Sequence, residues 1–134
     1  MSQLHSPPVI TMDGPSGSGK GTLSQRLANR QGWHLLNSGA IYRITALQLI
    51  KQSVDLSDTE LLKKALSTLD IHHLADSGNS IRYYLNSEEV TQAIRSTACS
   101  EMASKIAAIP MVRSTLYKVQ REFLKARWKD KYGY

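Results

Sequence analysis

Val9-Ile10-Thr11-Met12-Asp13-Gly14-Pro15-Ser16-Gly17-Ser18-Gly19-Lys20-Gly21-Thr22 is the stretch from which the rest of the 134-residue chain is parsed. Its first four residues are a short β-branched apolar run after Pro7-Pro8, too brief for a helix and suited to a buried strand. Beyond the glycine-rich segment, Leu23, Leu27 and Ala28 fall on one helical face, and Gly32 sits where a helix C-terminal glycine belongs. Strand, glycine-rich loop and helix, in that order, are the setting of a phosphate-binding loop. Glycines allow positive φ and close approach of backbone to phosphate, so successive N–H groups and the helix N-terminus can surround an anion. The candidate loop consists of Gly14, Pro15, Ser16, Gly17, Ser18, Gly19, Lys20, Gly21 and Thr22. Lys20 adds a full charge that would reach the β- and γ-phosphates of ATP, where a transferring group needs neutralising. A merely flexible glycine-rich turn would explain neither the lysine nor the flanking elements.

Outward from the loop, Trp33 to Leu36 offers a second short buried strand. Asn37-Ser38 then caps a helix with Ile41, Ile44, Leu47 and Ile50 on its apolar stripe. The order β-α-β-α predicts an α/β fold, a parallel sheet covered by helices. Ser57-Asp58-Thr59-Glu60 has capping-box spacing, and Leu61, Leu62, Ala65, Leu66 and Leu69 continue a helix from near Asp58. The period then changes. Ile71-His72-His73-Leu74 and Ile81-Arg82-Tyr83-Tyr84-Leu85, separated by Asp76-Ser77-Gly78-Asn79, predict two antiparallel strands forming a small insert. Adjacent His72 and His73 would point to opposite faces of a strand, which argues for structural roles over shared metal ligation. Residues 88–94 and 97–109 are predicted to be helical. Pro110 should open a last helix carrying Val112, Leu116, Val119 and Phe123.

Length and composition suit one domain with an insertion. Apolar residues make up 41% and charged residues 21%, far from a disordered profile. No run approaches the 18 or so apolar residues of a membrane span, and residues 1–8 lack the layout of a signal peptide, so a soluble, cytoplasmic protein is expected. The lone Cys99 has no second thiol nearby and is expected to be inert and half-buried. The net charge of +6 is uneven: residues 1–112 carry ten Lys and Arg against nine Asp and Glu, whereas residues 113–134 carry seven against two. Such a basic tail usually forms a solvated helix face. It lacks the aromatic-interleaved sheet or recognition-helix pattern of a nucleic-acid module, so no nucleic-acid partner is expected.

One departure within the loop is informative. The residue after the lysine is Gly21, and the hydroxyl arrives one place later in Thr22, which weakens direct magnesium ligation by that hydroxyl. This Gly-Lys-Gly-Thr form resembles nucleoside monophosphate kinases, and the whole 9–22 stretch is similar to the opening of bacterial cytidylate kinases. Ser38-Gly39-Ala40-Ile41-Tyr42-Arg43 resembles that family's acceptor-nucleotide segment. Leu85-Asn86-Ser87-Glu88-Glu89-Val90 resembles the end of its insert, and Val112-Arg113 with Gln120-Arg121 its following helix. The resemblance covers residues 9 to about 124. It implies a P-loop nucleoside monophosphate kinase-like parallel sheet with helices and an acceptor-nucleotide-binding insert over roughly 70–95. It also implies ATP with Mg²⁺ as donor and CMP or dCMP as acceptor, in pyrimidine nucleotide metabolism, by a monomer. Lys20 would be catalytic, Ser38 and Arg43 would face the acceptor phosphate, Arg113 would contact the acceptor nucleotide, and Ser104 would lie near the cytosine ring. For Tyr42 the resemblance implies packing beside the acceptor, whereas an aromatic at helical spacing is more often core.

From about residue 125 to 134 the sequence is unlike the family, a divergent basic tail. The family's next parallel strand with its Asp-Gly-Arg-Asp segment, its arginine-rich lid and its adenine-holding region have no counterpart in the 134 residues. In the family's strand order that strand lies between the two parallel strands retained here. The expectation is therefore a single partial kinase domain, its sheet incomplete at the C-terminus, truncated and weak or inactive. The alternative is a non-catalytic remnant that binds phosphate or nucleotide.

Overall fold

Gly19 takes a φ of +85°, a conformation open to glycine at little cost, and the chain turns there into helix α1 (Lys20–Gln31). A computed structural model of the chain describes residues 10–14, 18–31, 35–75 and 81–132. The elements that follow are α2 (Ser38–Lys51), α3 (Thr59–Ser67), strands β1 (Ile71–Ala75), β2 (Ile81–Leu85) and β3 (Glu88–Glu89), a 3₁₀ turn at Ala93–Arg95, α4 (Thr97–Ile106) and α5 (Pro110–Tyr132). The chain divides into two compact units, one formed by Met1–Asn37 with Val119–Tyr134 and the other by Ser38–Lys118.

In the second unit the core is built around α2. Ala40, Ile41, Ile44, Thr45, Ala46, Leu47, Gln48 and Leu49 are all buried, because α3, α4 and the 3₁₀ turn pack against this helix. The expected stripe of Ile41, Ile44, Leu47 and Ile50 is therefore too narrow, and at its end misplaced. Ile50 is 36% exposed, whereas Gln48 is 2% exposed. Leu62 and Leu66 of α3, Ile71, Leu85, Val90, Ile94, Ile106, Val112 and Leu116 complete the buried set. Gln48 satisfies its buried amide fully: its Nε2 donates to the Ala65 carbonyl (2.5 Å) and to Thr68 Oγ1 (3.2 Å), and its Oε1 accepts from Asn86 Nδ2 (3.2 Å).

The strands form an antiparallel sheet in the order β1-β2-β3, with Ile71 opposite Leu85 and Ala75 opposite Ile81. The turn cluster expected over 76–79 lies outside the described residues. Residues 88–94 do not form the predicted helix. Asn86 and Ser87, at φ +51° and +71°, make a two-residue turn that pairs Leu85 with Glu88, so Glu88–Glu89 become a strand, and only Ala93–Arg95 turn helically. The α3 start is displaced by one residue from the Ser57…Glu60 box. Asp58 is the cap, accepting from the Leu61 amide at 3.1 Å, while Ser57 donates to Asp55 Oδ1 at 2.7 Å. Helix α4 ends at Ile106, short of the expected residue 109, and Pro110 opens α5 as predicted.

In the first unit, residues 10–14 and 35–37 lie in neither helix nor strand, and Val9 and Gly32 to His34 fall outside the described residues. No parallel strand pair is present among the described residues. On α1, Ala28 is buried and Leu27 half-buried, but Leu23 is 56% exposed, so the predicted stripe is only partly covered.

Candidate functional site

Gly14 N–H donates to Asp13 Oδ1 at 2.9 Å, and a Cβ on Gly14 would lie 3.0 Å from Ser18 Oγ, so the described ends of the loop approach each other closely. Pro15, Ser16 and Gly17 lie outside the described residues. The first bond of the helix runs from Leu23 N to Gly19 O at 3.0 Å, which leaves the amides of Lys20, Gly21 and Thr22 at the helix N-terminus outside the i→i−4 ladder. These amides carry the positive end of the helix dipole, and the exposed Lys20 ammonium is on the same turn. Ser24 Oγ donates to Lys20 O at 2.7 Å, tying the first turn together. Backbone amides and an ammonium on one helix turn are groups whose chemistry suits an anion.

The expected acceptor residues all lie in the second unit. Ser38 is the first residue of α2, and Arg43 is half-buried five residues further along it. A spacing of five residues overshoots one turn of helix, so Ser38 and Arg43 do not fall on the same stripe of α2. Ser104 is exposed on α4 and donates to its own helix, Oγ to Ser100 O at 3.2 Å. Arg113 is exposed on α5, with Nη1 donating to the Ala107 carbonyl just past the end of α4, at 3.3 Å. A single such bond occupies one of five guanidinium donors. Tyr42 is half-buried.

The sequence reading gave no separate attention to Tyr83 on β2, which is half-buried. Burial pushes the Tyr83 hydroxyl above the usual phenol value, and the Arg43 guanidinium opposes that shift. The signal was available, since Tyr83 stands two residues from buried Leu85 and so shares its face of the strand. The histidines do diverge as expected: His72 is exposed and meets Asp70 (Nε2 to Oδ1, 2.8 Å), whereas His73 is half-buried with its ring 6.4 Å from that of Tyr83. Among the described residues no group of three or more His, Cys, Asp or Glu could hold a metal ion. Cys99 is more buried than expected, at 1% exposure, with Sγ donating to Ala93 O at 3.5 Å. No helix among the described residues is long and apolar enough to cross a membrane.

Comparison with known proteins identifies the family. The family model for cytidylate kinase matches residues 10–130, which extends into the stretch expected to diverge. The cytidylate kinase of Shewanella loihica (strain ATCC BAA-1088 / PV-4) is 50% identical over 119 residues, covering 89% of this chain and 52% of the relative. That of Shewanella denitrificans (strain OS217 / ATCC BAA-1090 / DSM 15013) is 50% identical over 117 residues, covering 87% and 52%. The cytidylate kinase of Shewanella frigidimarina (strain NCIMB 400) is also 50% identical over 117 residues, covering 87% and 51%. The chain thus spans about half the length of the curated relatives it matches. With the glycine loop, the α2 segment and the hairpin insert all inside one continuous match, the chain belongs to the cytidylate kinase family.

Proposed function

We propose that the chain serves ATP-dependent phosphoryl transfer to CMP or dCMP, giving CDP or dCDP. The observation that carries this reading is the turn at Gly19, which delivers the Lys20 ammonium and the amides of residues 20–22 to one place, in a chain of the cytidylate kinase family. Phosphoryl transfer requires positioning and charge neutralisation more than covalent help from protein groups. Lys20 with the loop 14–22 holds the donor phosphates, Ser38 and Arg43 hold the acceptor phosphate, Ser104 lies near the base, and Arg113 contacts the acceptor nucleotide. Mg²⁺ arrives with ATP on its phosphate oxygens and supplies further neutralisation, which suits a loop built from backbone donors, lysine and hydroxyls in place of carboxylates. A monomeric, cytoplasmic protein belongs to the same proposal and rests on the family resemblance.

A second reading is nucleotide binding without turnover by these 134 residues, which span about half of each relative. The arginine-rich lid and the Asp-Gly-Arg-Asp segment of the family have no counterpart among them, and losing one arginine of this kind costs about 10³ to 10⁵ in rate in related chemistry. A coupled assay with ATP, Mg²⁺ and CMP, run beside a full-length relative, separates the two. The expected result is binding of both nucleotides with turnover lower by about 10³ or more. Turnover within about tenfold of the relative would locate sufficient catalytic groups in these residues, and failure to bind either nucleotide would overturn both readings.

A further inference from the structure

We propose that Pro110 is a positioning residue for the acceptor nucleotide: the turn it closes between α4 and α5 seats the Arg113 guanidinium before any ligand arrives. This rests on the reading of Arg113 as a contact to the acceptor nucleotide. Helix α4 ends at Ala107, and the next two amides fold back tightly, Ala108 N to Lys105 O at 3.3 Å and Ile109 N to Ile106 O at 3.0 Å. Pro110 stops the helix from running on. It has no N–H to give to the Ile106 carbonyl, its ring would clash with that carbonyl in a continuous helix, and it drives Ile109 toward extended backbone. Its fixed φ then suits the first position of α5.

Arg113 is tied to this turn by both its backbone and its head group. Its N–H donates to Ile109 O at 3.1 Å, and its Nη1 donates to Ala107 O at 3.3 Å. In one continuous helix the Ala107 carbonyl would accept from the amide of Met111, so the break at Pro110 is what opens it to the guanidinium. That carbonyl lies at the negative end of the α4 dipole and the donor is charged, which strengthens the bond. Ser104 stands three residues before Ala107, a neighbour on the helix surface, so the turn brings the guanidinium to the end of the α4 face that carries Ser104. An arginine has several rotatable bonds to immobilise before it can hold a ligand. One already seated by the turn incurs less of that ordering cost, with its other donors left for the nucleotide. Pro110 is exposed, while Ile106, Val112 and Leu116 on either side of the turn are each 0% exposed, so the core there does not depend on the proline ring.

The test is a double-mutant cycle on the full 134-residue chain, with CMP and ATP affinities measured by calorimetry for the parent, Pro110→Ala, Arg113→Ala and the double variant. Pro110→Gly is measured alongside, since alanine favours joining the two helices and glycine loosens the turn. Circular dichroism checks that the fold persists. CMP affinity is expected to fall about three- to tenfold in either Pro110 variant, with ATP affinity unchanged and the double variant no weaker than Arg113→Ala alone. Unchanged CMP affinity, equal losses for ATP, CMP losses that add in the double variant, or a collapsed fold in both Pro110 variants would overturn the assignment while leaving the acceptor site in place. Absence of CMP binding by the parent chain, or CMP affinity unchanged in Arg113→Ala, would overturn the reading of Arg113, and the role of Pro110 with it.

Discussion

Gln48 is the side chain on which the second unit most depends for polar satisfaction. It joins α2 to the end of α3 and to the hairpin turn through three hydrogen bonds from a position 2% exposed. Gln48→Ala removes all three and leaves a void next to the Ala65 carbonyl. The expected loss of stability is about 3 kcal/mol, combining unsatisfied groups with a cavity. Urea unfolding monitored by circular dichroism measures it, and a loss below about 1 kcal/mol would mean that water or neighbouring groups replace the amide. Nothing in the sequence marked Gln48 as buried, because periodicity assigns polar residues to solvent and the burial here comes from partners on several sides. The start of α1 at Lys20 was legible for the opposite reason: glycine loop and helix start are contiguous, and their geometry is local.

At the scale of elements, the helices were read largely correctly and the hairpin only in part. The helix at 59–67, the opening of α5 at Pro110 and the antiparallel pair β1–β2 follow from capping residues and alternation. Strand β3 was missed because Asn86-Ser87 is a poor advertisement for a turn with positive φ at both positions, a task usually given to glycine at the second. Ser87 at φ +71° carries the strain of that conformation. Ser87→Gly should stabilise the chain by about 0.5–1 kcal/mol, the relieved strain exceeding the added freedom of the unfolded chain. Thermal unfolding would show a higher midpoint. A lower one would mean that the serine makes a contact worth more than the strain.

Across the whole molecule, the parallel sheet was the expectation least supported locally, since parallel strands need partners distant in sequence. Two units result, one bearing the glycine loop and one bearing Ser38, Arg43, Ser104 and Arg113. The proposed site divides with them, donor phosphates on Lys20 in one unit and acceptor phosphate on Arg43 in the other. Crossed calorimetric titrations of ATP and CMP into the parent chain, Lys20→Ala and Arg43→Ala test it most directly. Lys20→Ala is expected to lose ATP affinity by about tenfold or more and keep CMP, while Arg43→Ala does the reverse. ATP affinity unchanged in Lys20→Ala, or equal losses of both nucleotides in both variants, would contradict it.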